Sequence, residues 1–322
     1  MPQSQRRLGV VMDPIGHITP YKDSTLAMLL AAARAGFELT YFEMGDLDII
    51  NGVARGRGRP LTVADDNEHW YTLGDASDVN LGDLDVILMR KDPPFDMEYV
   101  YATYILERAE AAGALVVNRP QSLRDVNEKA YTAWFPELCP PTLITRSMQR
   151  MDAFLHEHER IVVKPLDGMG GKSIFVVKLG DSNRSVIFET LTDTNRQFAM
   201  AQAFIPEITD GDKRILIVNG RVVDYCLARV PAKGEARGNL AAGGRGVPQP
   251  LSDSDRRIAE TIAPTMVGKG LWFVGLDVIG DRVTEINVTS PTCIRELDAA
   301  YDLDIAGDLM TALTAELDRR AA

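Results

Sequence analysis

The chain has 322 residues, 45% hydrophobic and 25% charged, the composition of a folded protein with room for about two domains at roughly 150 residues each, and one that excludes long disorder and fibrous repeats. Lys and Arg number 35 against 46 Asp and Glu, a formal net charge of -11. That field opposes non-specific binding to nucleic acid or to an anionic membrane, so neither is expected as a partner.

No apolar run approaches the roughly 18 residues of a membrane span, and the apolar stretch after Arg6 and Arg7 is cut short by Asp13 and Pro14. The three cysteines, Cys139, Cys226 and Cys293, lie far apart and form neither a disulfide framework nor a zinc site. With no visible export signal, a reducing cytoplasm is the expected setting.

In chain order, a strand is predicted over Leu8 to Met12, then a helix from about Ser24 to Ala35 with Ser24 as cap and Gly36 as stop, then a strand over Glu38 to Phe42. Asn51-Gly52, a dipeptide favoured in type I′ turns, predicts a hairpin joining Leu47–Ile50 to the residues from Val53 onward. A strand over Asp85 to Met89, a helix over Tyr99 to Ala112 stopped by Gly113, and a strand over Leu115 to Val117 complete a βαβ-type α/β domain. The texture changes after Arg119, which places a boundary near residue 125 and divides the chain into 1–125 and 126–322.

Beyond the boundary a helical stretch Asn127 to Phe135 and a helix from about Ser147 to His158 precede strands over Ile161 to Lys164, Ile174 to Lys178, Phe198 to Phe204 and Lys213 to Val218. The last turns through Asn219-Gly220 into Val222 to Arg229, and this half reads as α+β. His156 and His158, two apart on a helix, point in different directions and read as solvated surface. Pro231 to Pro250 is rich in Gly, Ala and Arg, has little to bury, and is expected to be a mobile loop.

The segment from Lys164 to Ser173 invites a phosphate-loop reading. Leu166 occupies the position where a Walker loop needs glycine, and Ser173 the position of the third Rossmann glycine, so neither pattern holds. What remains is a glycine turn between strands, which reads first as an ordinary β-turn and second as a cradle for phosphate oxygens. Lys164, at the end of an apolar strand beside that turn, suits polyphosphate. Lys129 has no local pattern and reads as solvated surface.

The strongest constellation is Asp277, Glu285 and Asn287. A three-residue hairpin loop, Gly280 to Arg282, sets Asp277 opposite Glu285 and places Asn287 on the face of Glu285. Three hard oxygen donors then converge, as Mg²⁺ bound with substrate phosphates requires; a charged solvent face is the alternative. Asn287 among apolar neighbours favours the site. Arg214, Arg229, Arg237 and Arg245 are individually ordinary surface residues, or together a clamp for phosphoryl and carboxylate groups.

Taken together, the stretches Val11-Met-Asp-Pro14, Glu43-Met-Gly-Asp-Leu47, Met89-Arg-Lys-Asp-Pro-Pro-Phe95, Asn118-Arg-Pro-Gln-Ser-Leu-Arg124, Lys164-Pro-Leu-Asp-Gly-Met-Gly-Gly171, Gly211-Asp-Lys-Arg214, Arg237-Gly-Asn-Leu-Ala-Ala-Gly-Gly-Arg245 and Glu285-Ile-Asn-Val-Thr-Ser-Pro-Thr-Cys293 resemble the bacterial glutathione synthetases of the ATP-grasp superfamily. The resemblance implies an α/β and α+β fold: an N-terminal Rossmann-like pre-ATP-grasp domain (1–125), then a two-subdomain ATP-grasp fold with a small lid subdomain (126–204) and a C-terminal metal and catalytic subdomain (205–322).

It further implies that Lys129 and Lys164 contact the ATP phosphates, that Gly168, Met169, Gly170 and Gly171 cover them, and that Gln202, Ala203, Phe204 and Ile205 form the hinge beside adenine. Asp212 would reach the ribose, while Asp277, Glu285 and Asn287 would hold two Mg²⁺, with Mn²⁺ able to substitute. Arg214 and Arg229, with Gly243, Gly244, Arg237 and Arg245 of a lid over Val230 to Arg245, would act on the reacting groups. The implied reaction is ATP-dependent ligation of γ-L-glutamyl-L-cysteine with glycine through an acyl phosphate, carried out by a homotetramer. Other ATP-grasp ligases are similar in the metal strand but not in Met89 to Phe95 or Arg237 to Arg245. A non-catalytic nucleotide-binding regulator is disfavoured by retention of both lysines and all three metal ligands.

Overall fold

Strand Arg7–Val11 runs parallel between Glu38–Phe42 and Val86–Met89 at the centre of an eight-stranded sheet. The structure is a computed structural model that describes residues 5–168, 170–232 and 243–322. Leu8, Val10 and Val11 are fully buried on both faces of this central strand, as expected where the crossover helices Ser24–Arg34 and Met97–Ala111 cover a parallel sheet. The Asn51-Gly52 hairpin forms as predicted, with Ile50 opposite Val53 and both turn residues at positive φ, 52° and 82°.

The cap of the first helix differs from the expectation. Asp23 rather than Ser24 is the N-cap, its carboxylate accepting from Leu26 N at 2.6 Å, because a carboxylate also answers the positive end of the helix dipole. Ser24 is buried instead, and its Oγ accepts from Ile294 N at 3.2 Å.

The second half holds two antiparallel sheets. One has four strands in the order Phe175–Lys178, Arg160–Pro165, Ala199–Ala203, Thr142–Thr145; the other has five, Arg245–Pro250, Arg221–Val230, Asp212–Val218, Phe273–Ile279, Arg282–Asn287. The stretch read as helical after Asn127 is only the 3₁₀ turn Ala130–Trp134. Asn127 Oδ1 accepts from Lys129 N at 3.1 Å and Ala130 N at 2.8 Å, a side-chain turn that competes with an α-helix.

Arg245–Pro250 lies inside the stretch read as a loop, yet it is an edge strand paired from Val230↔Arg245 to Tyr225↔Pro250. An edge tolerates Pro248 and Pro250 because one side of its backbone needs no ladder donor. Residues 233–242, the middle of the predicted loop, lie outside the described residues. His156 is exposed and His158 half-buried, edge-on to the Phe154 ring.

Apolar packing crosses residue 125. One buried cluster joins Val11, Phe42, Met89 and Leu123 to Ile215, Ile262, Leu276 and Ile286, whereas the four-stranded sheet has a separate core of Met151, Leu155, Val163 and Phe188. Asn118 ties the first sheet to the five-stranded one: Nδ2 donates to Phe273 O at 2.8 Å and Val288 O at 2.7 Å, while Oδ1 accepts from Trp272 N at 2.7 Å and Phe273 N at 3.0 Å. This is the full complement for a buried amide. Among the described residues, no helix is long and apolar enough to cross a membrane.

Candidate active site

The hairpin Phe273–Ile279 and Arg282–Asn287 sets Asp277 opposite Glu285 and Gly275 opposite Asn287. The pairing is the predicted one, but the loop is not. Ile279 faces Arg282, so the turn has two residues, and the extra residue is absorbed by a register shift after Asp277, where Thr284 Oγ1 donates to Asp277 O at 3.2 Å.

The next strand brings in the cations. Arg214 pairs with Asp277 across Asp212–Val218 and Phe273–Ile279, and Arg229 pairs with Asp212 on the other side. Arg214 Nε and Nη2 donate to the two oxygens of Asp277 at 2.6 and 3.1 Å, and Arg229 Nη2 lies 2.9 Å from Asp277 Oδ2 and 2.6 Å from Asp212 Oδ2. Burial works to raise the Asp277 carboxyl, but the two guanidiniums overcome it and hold it below the usual carboxylate range. Only glycine fits at Gly275, where a Cβ would stand 2.8 Å from Pro291 Cβ and 2.9 Å from Arg214 Cδ.

Glu285 faces two lysines: Lys164 Nζ is 3.2 Å and Lys129 Nζ 3.7 Å from its Oε1. Burial opposes its ionisation, and the two ammoniums prevail and lower its pKa. Lys129 is therefore not the solvated residue that its local pattern suggested. It is 2% exposed, held by the carboxylates of Glu128 and Glu285 and by the Gly168 carbonyl at 2.7 Å. Burial tends to lower its pKa, but Glu285 and Glu128 raise it. Glu128 itself was not anticipated; its only signal in the sequence is adjacency to Lys129.

Two cavities meet at these carboxylates. The first, between the four- and five-stranded sheets, is lined by Lys129, Lys164, Gly168, Gly170, Gly171, Gln202 to Ile205, Asp212, Asp277 and Glu285. The second, of about 380 Å³, is lined by Arg214, Arg229, Asp277, Glu285 and Asn287, by Asp92, Ser290 and Thr292, which the sequence marked only as parts of longer motifs, and by Glu296, which it did not single out. Asp277, Glu285 and Gly170 border both. Gly170 and Gly171 have positive φ, 64° and 77°, so the turn over the first cavity needs glycine there.

Gly243, Gly244 and Arg245 line neither cavity; Arg245 is exposed on the edge strand. Met169 and Arg237 lie outside the described residues. Among the described residues Asp212 Oδ1 is buried without a partner, and burial, against Arg229, pushes this carboxyl up to about 7.

Asn287 Nδ2 is likewise a buried donor without a partner among the described residues, which suits an oxygen acceptor such as a phosphate. Two carboxylates and an amide are a hard-oxygen donor set that fits Mg²⁺. Among the described residues no group of three or more His, Cys, Asp or Glu could hold a metal by itself.

A cleft between two antiparallel sheets, behind an α/β first domain, defines an ATP-grasp fold. Solved structures agree at the level of fold: a D-cycloserine synthetase superposes with TM-score 0.68 at 15% identity, covering 97% of this chain and 99% of its own. D-alanyl-alanine synthetase A from Vibrio cholerae gives 0.63 at 11% identity, covering 98% and 100%.

Within that class, the chain belongs to the prokaryotic glutathione synthetase family, whose N-terminal domain model matches residues 7–124 and whose ATP-grasp domain model matches 128–302. The glutathione synthetase of Shewanella oneidensis is 62% identical over 311 residues, 97% of this chain and 99% of that protein. That of Escherichia coli is 60% identical over 314 residues, 98% and 99% respectively.

Proposed function

We propose that the chain joins γ-L-glutamyl-L-cysteine to glycine at the expense of ATP, with release of glutathione, ADP and phosphate. The observation that carries this reading is roughly 60% identity to glutathione synthetases along nearly the whole chain, supported by a wall of carboxylates shared between two cavities. The first cavity takes ATP. Its phosphates replace Glu285 as the partner of Lys129 and Lys164, the glycine turn covers them, Gln202 to Ile205 border the adenine, and the unpartnered Asp212 oxygen accepts from a ribose hydroxyl.

The second cavity takes the dipeptide with its cysteinyl carboxylate toward Asp277. A carboxylate is a poor electrophile until phosphorylated, so its oxygen attacks the γ-phosphorus, the bond to ADP breaks and an acyl phosphate forms. The glycine amine then adds to the acyl carbon, loses a proton, and phosphate departs with the C–O electron pair. Arg214, with Nε and Nη2 committed to Asp277, has Nη1 left to stabilise the tetrahedral oxyanion. Asp277, Glu285 and Asn287 would hold Mg²⁺, or Mn²⁺ in its place, which when bound neutralises phosphate charge. Arg229 helps to keep Asp277 ionised and holds both Asp277 and Asp212 in place.

By family resemblance the enzyme acts as a cytoplasmic homotetramer, in which 1–125 supports the dipeptide cavity, 126–204 covers the nucleotide and 205–322 carries the metal strand. Arg237 and Arg245, with Gly243 and Gly244, then belong to a segment that shields the acyl phosphate from water. Phosphate release with ATP, Mg²⁺, γ-glutamylcysteine and glycine, each omitted in turn, tests the reaction. Full release is expected only with all four, and equal release without the dipeptide would overturn the assignment.

A further inference from the structure

The motif Met89 to Phe95 contributes nothing to the nucleotide cleft, yet it contains a buried arginine. Arg90 is 6% exposed; its Nε donates to Thr25 Oγ1 at 3.1 Å and its Nη2 to the Pro291 carbonyl at 2.9 Å. One residue further along the same wall, Ser290 Oγ donates to Asp92 Oδ1 at 2.6 Å. Asn118 holds the Val288 carbonyl at 2.7 Å, and Ser24 Oγ accepts from Ile294 N at 3.2 Å. Four side chains of the first domain thus grip residues 288, 290, 291 and 294 in succession.

The gripped segment leads directly out of the strand carrying Glu285 and Asn287, and Ser290, Pro291, Thr292 and Cys293 line the second cavity. It has no regular backbone ladder of its own between Asn287 and the helix Ile294–Tyr301. A wall without a ladder keeps its shape through side-chain partners, and here the partners of residues 288, 290, 291 and 294 come from the other half of the chain. The first cavity touches none of the gripped residues.

We infer that Arg90 and Asp92 are positioning residues for the dipeptide: acting through Pro291 and Ser290, they set the wall against which it lies and leave nucleotide binding alone. This rests on the proposed function. It assigns to the first domain a part in selecting the dipeptide, and it distinguishes Asp92 from a residue that reads substrate charge directly, although Asp92 also borders the cavity.

The experiment uses the full chain and four variants: Asp92→Ala, Asp92→Asn, Ser290→Ala and the double Asp92→Ala/Ser290→Ala. Arg90 is buried and its variants can fail to fold, so the exposed Asp92 and the single hydroxyl of Ser290 carry the test. Asp92→Ala and Ser290→Ala should each raise KM for γ-glutamylcysteine about tenfold, with KM for ATP within twofold of wild type. Asp92→Asn, which keeps an oxygen acceptor for Ser290 but no charge, should stay within about threefold of wild type. The double variant should be no worse than either single one, since both remove the same hydrogen bond.

Asp92→Asn as impaired as Asp92→Ala, multiplying effects in the double variant, a parallel rise in KM for ATP, or no change at all would each overturn the inference. Failure of the wild type to turn over γ-glutamylcysteine would instead overturn the proposed function, and the inference with it.

Discussion

Glu285→Gln removes one charge and almost no volume. The carboxylate is the shared partner of Lys164 at 3.2 Å and Lys129 at 3.7 Å, and those lysines are 4% and 2% exposed. Without that charge, Lys129 retains Glu128 and Gly168 O, while among the described residues Lys164 is left with neutral acceptors alone, the Thr284 carbonyl at 3.2 Å and the new amide oxygen. Removing one partner of a buried ion pair costs about 3–5 kcal/mol. The remaining partner of Lys129 places this case near the lower end, about 3 kcal/mol, which for a unit of this size lowers Tm by roughly 6–12 °C.

The same change should help a nucleotide whose phosphates no longer compete with a carboxylate for the lysines. In EDTA, ADP should bind the variant more tightly than wild type and recover most of the lost Tm, while turnover with Mg²⁺ is abolished because a metal oxygen is gone. Scanning calorimetry with and without ADP, and titration of ADP in EDTA, provide the measurements. A ligand-free Tm within about 2 °C of wild type, or weaker ADP binding in EDTA, would refute the idea that Glu285 holds the phosphate-binding lysines in reserve.

Gly275→Ala puts a methyl group 2.8 Å from Pro291 and 2.9 Å from Arg214; overpacking of this kind costs about 1–3 kcal/mol, and steady-state assays should show kcat falling further than that loss explains as Arg214 is pushed off Asp277. Asp212→Asn keeps an acceptor but removes a charge-assisted bond worth about 1.5–3 kcal/mol, so KM for ATP should rise at least tenfold with KM for the dipeptide nearly unchanged; equal rises in both would remove Asp212 from the nucleotide site.

Burial pushes the Asp298 carboxyl up to about 6 from an ordinary 3.8, so the folded state binds the extra proton between those values and stability is lost as pH rises through the window. Asp298→Asn keeps the acceptor for Ile305 N, 3.1 Å away in the parent, and should raise Tm at pH 7.5 while matching wild type below the window. A gain of the same size at low pH would disprove the linkage.

What could be read from the sequence was local. The Asp277–Glu285 pairing follows from two short strands about one tight turn, and the Asn51-Gly52 hairpin from the φ values that only such a dipeptide adopts readily. Arg214 and Arg229 converge because their strands adjoin, a register that the spacing left open until the ladders Arg214↔Asp277 and Asp212↔Arg229 were seen. Lys129 was illegible because what buries it, Glu285 and the Gly168 carbonyl, is remote in the chain. Thr142–Thr145 and Arg245–Pro250 are short edge strands, one carrying two prolines, and strands of that kind are defined by their neighbour's backbone more than by their own side chains.

The separate core of the four-stranded sheet makes the first cavity a seam between two apolar bodies. Few greasy contacts hold such a seam, so it can tilt open without melting either side, in contrast to a cleft cut into a continuous core. The contacts that do cross it are polar: Lys129 to Gly168 O, Asn127 Nδ2 to Leu166 O at 3.1 Å, and Lys164 to Thr284 O and Glu285. If a triphosphate takes over these two lysines, as proposed above, loading the nucleotide and unlatching the seam would be a single exchange of counter-ions.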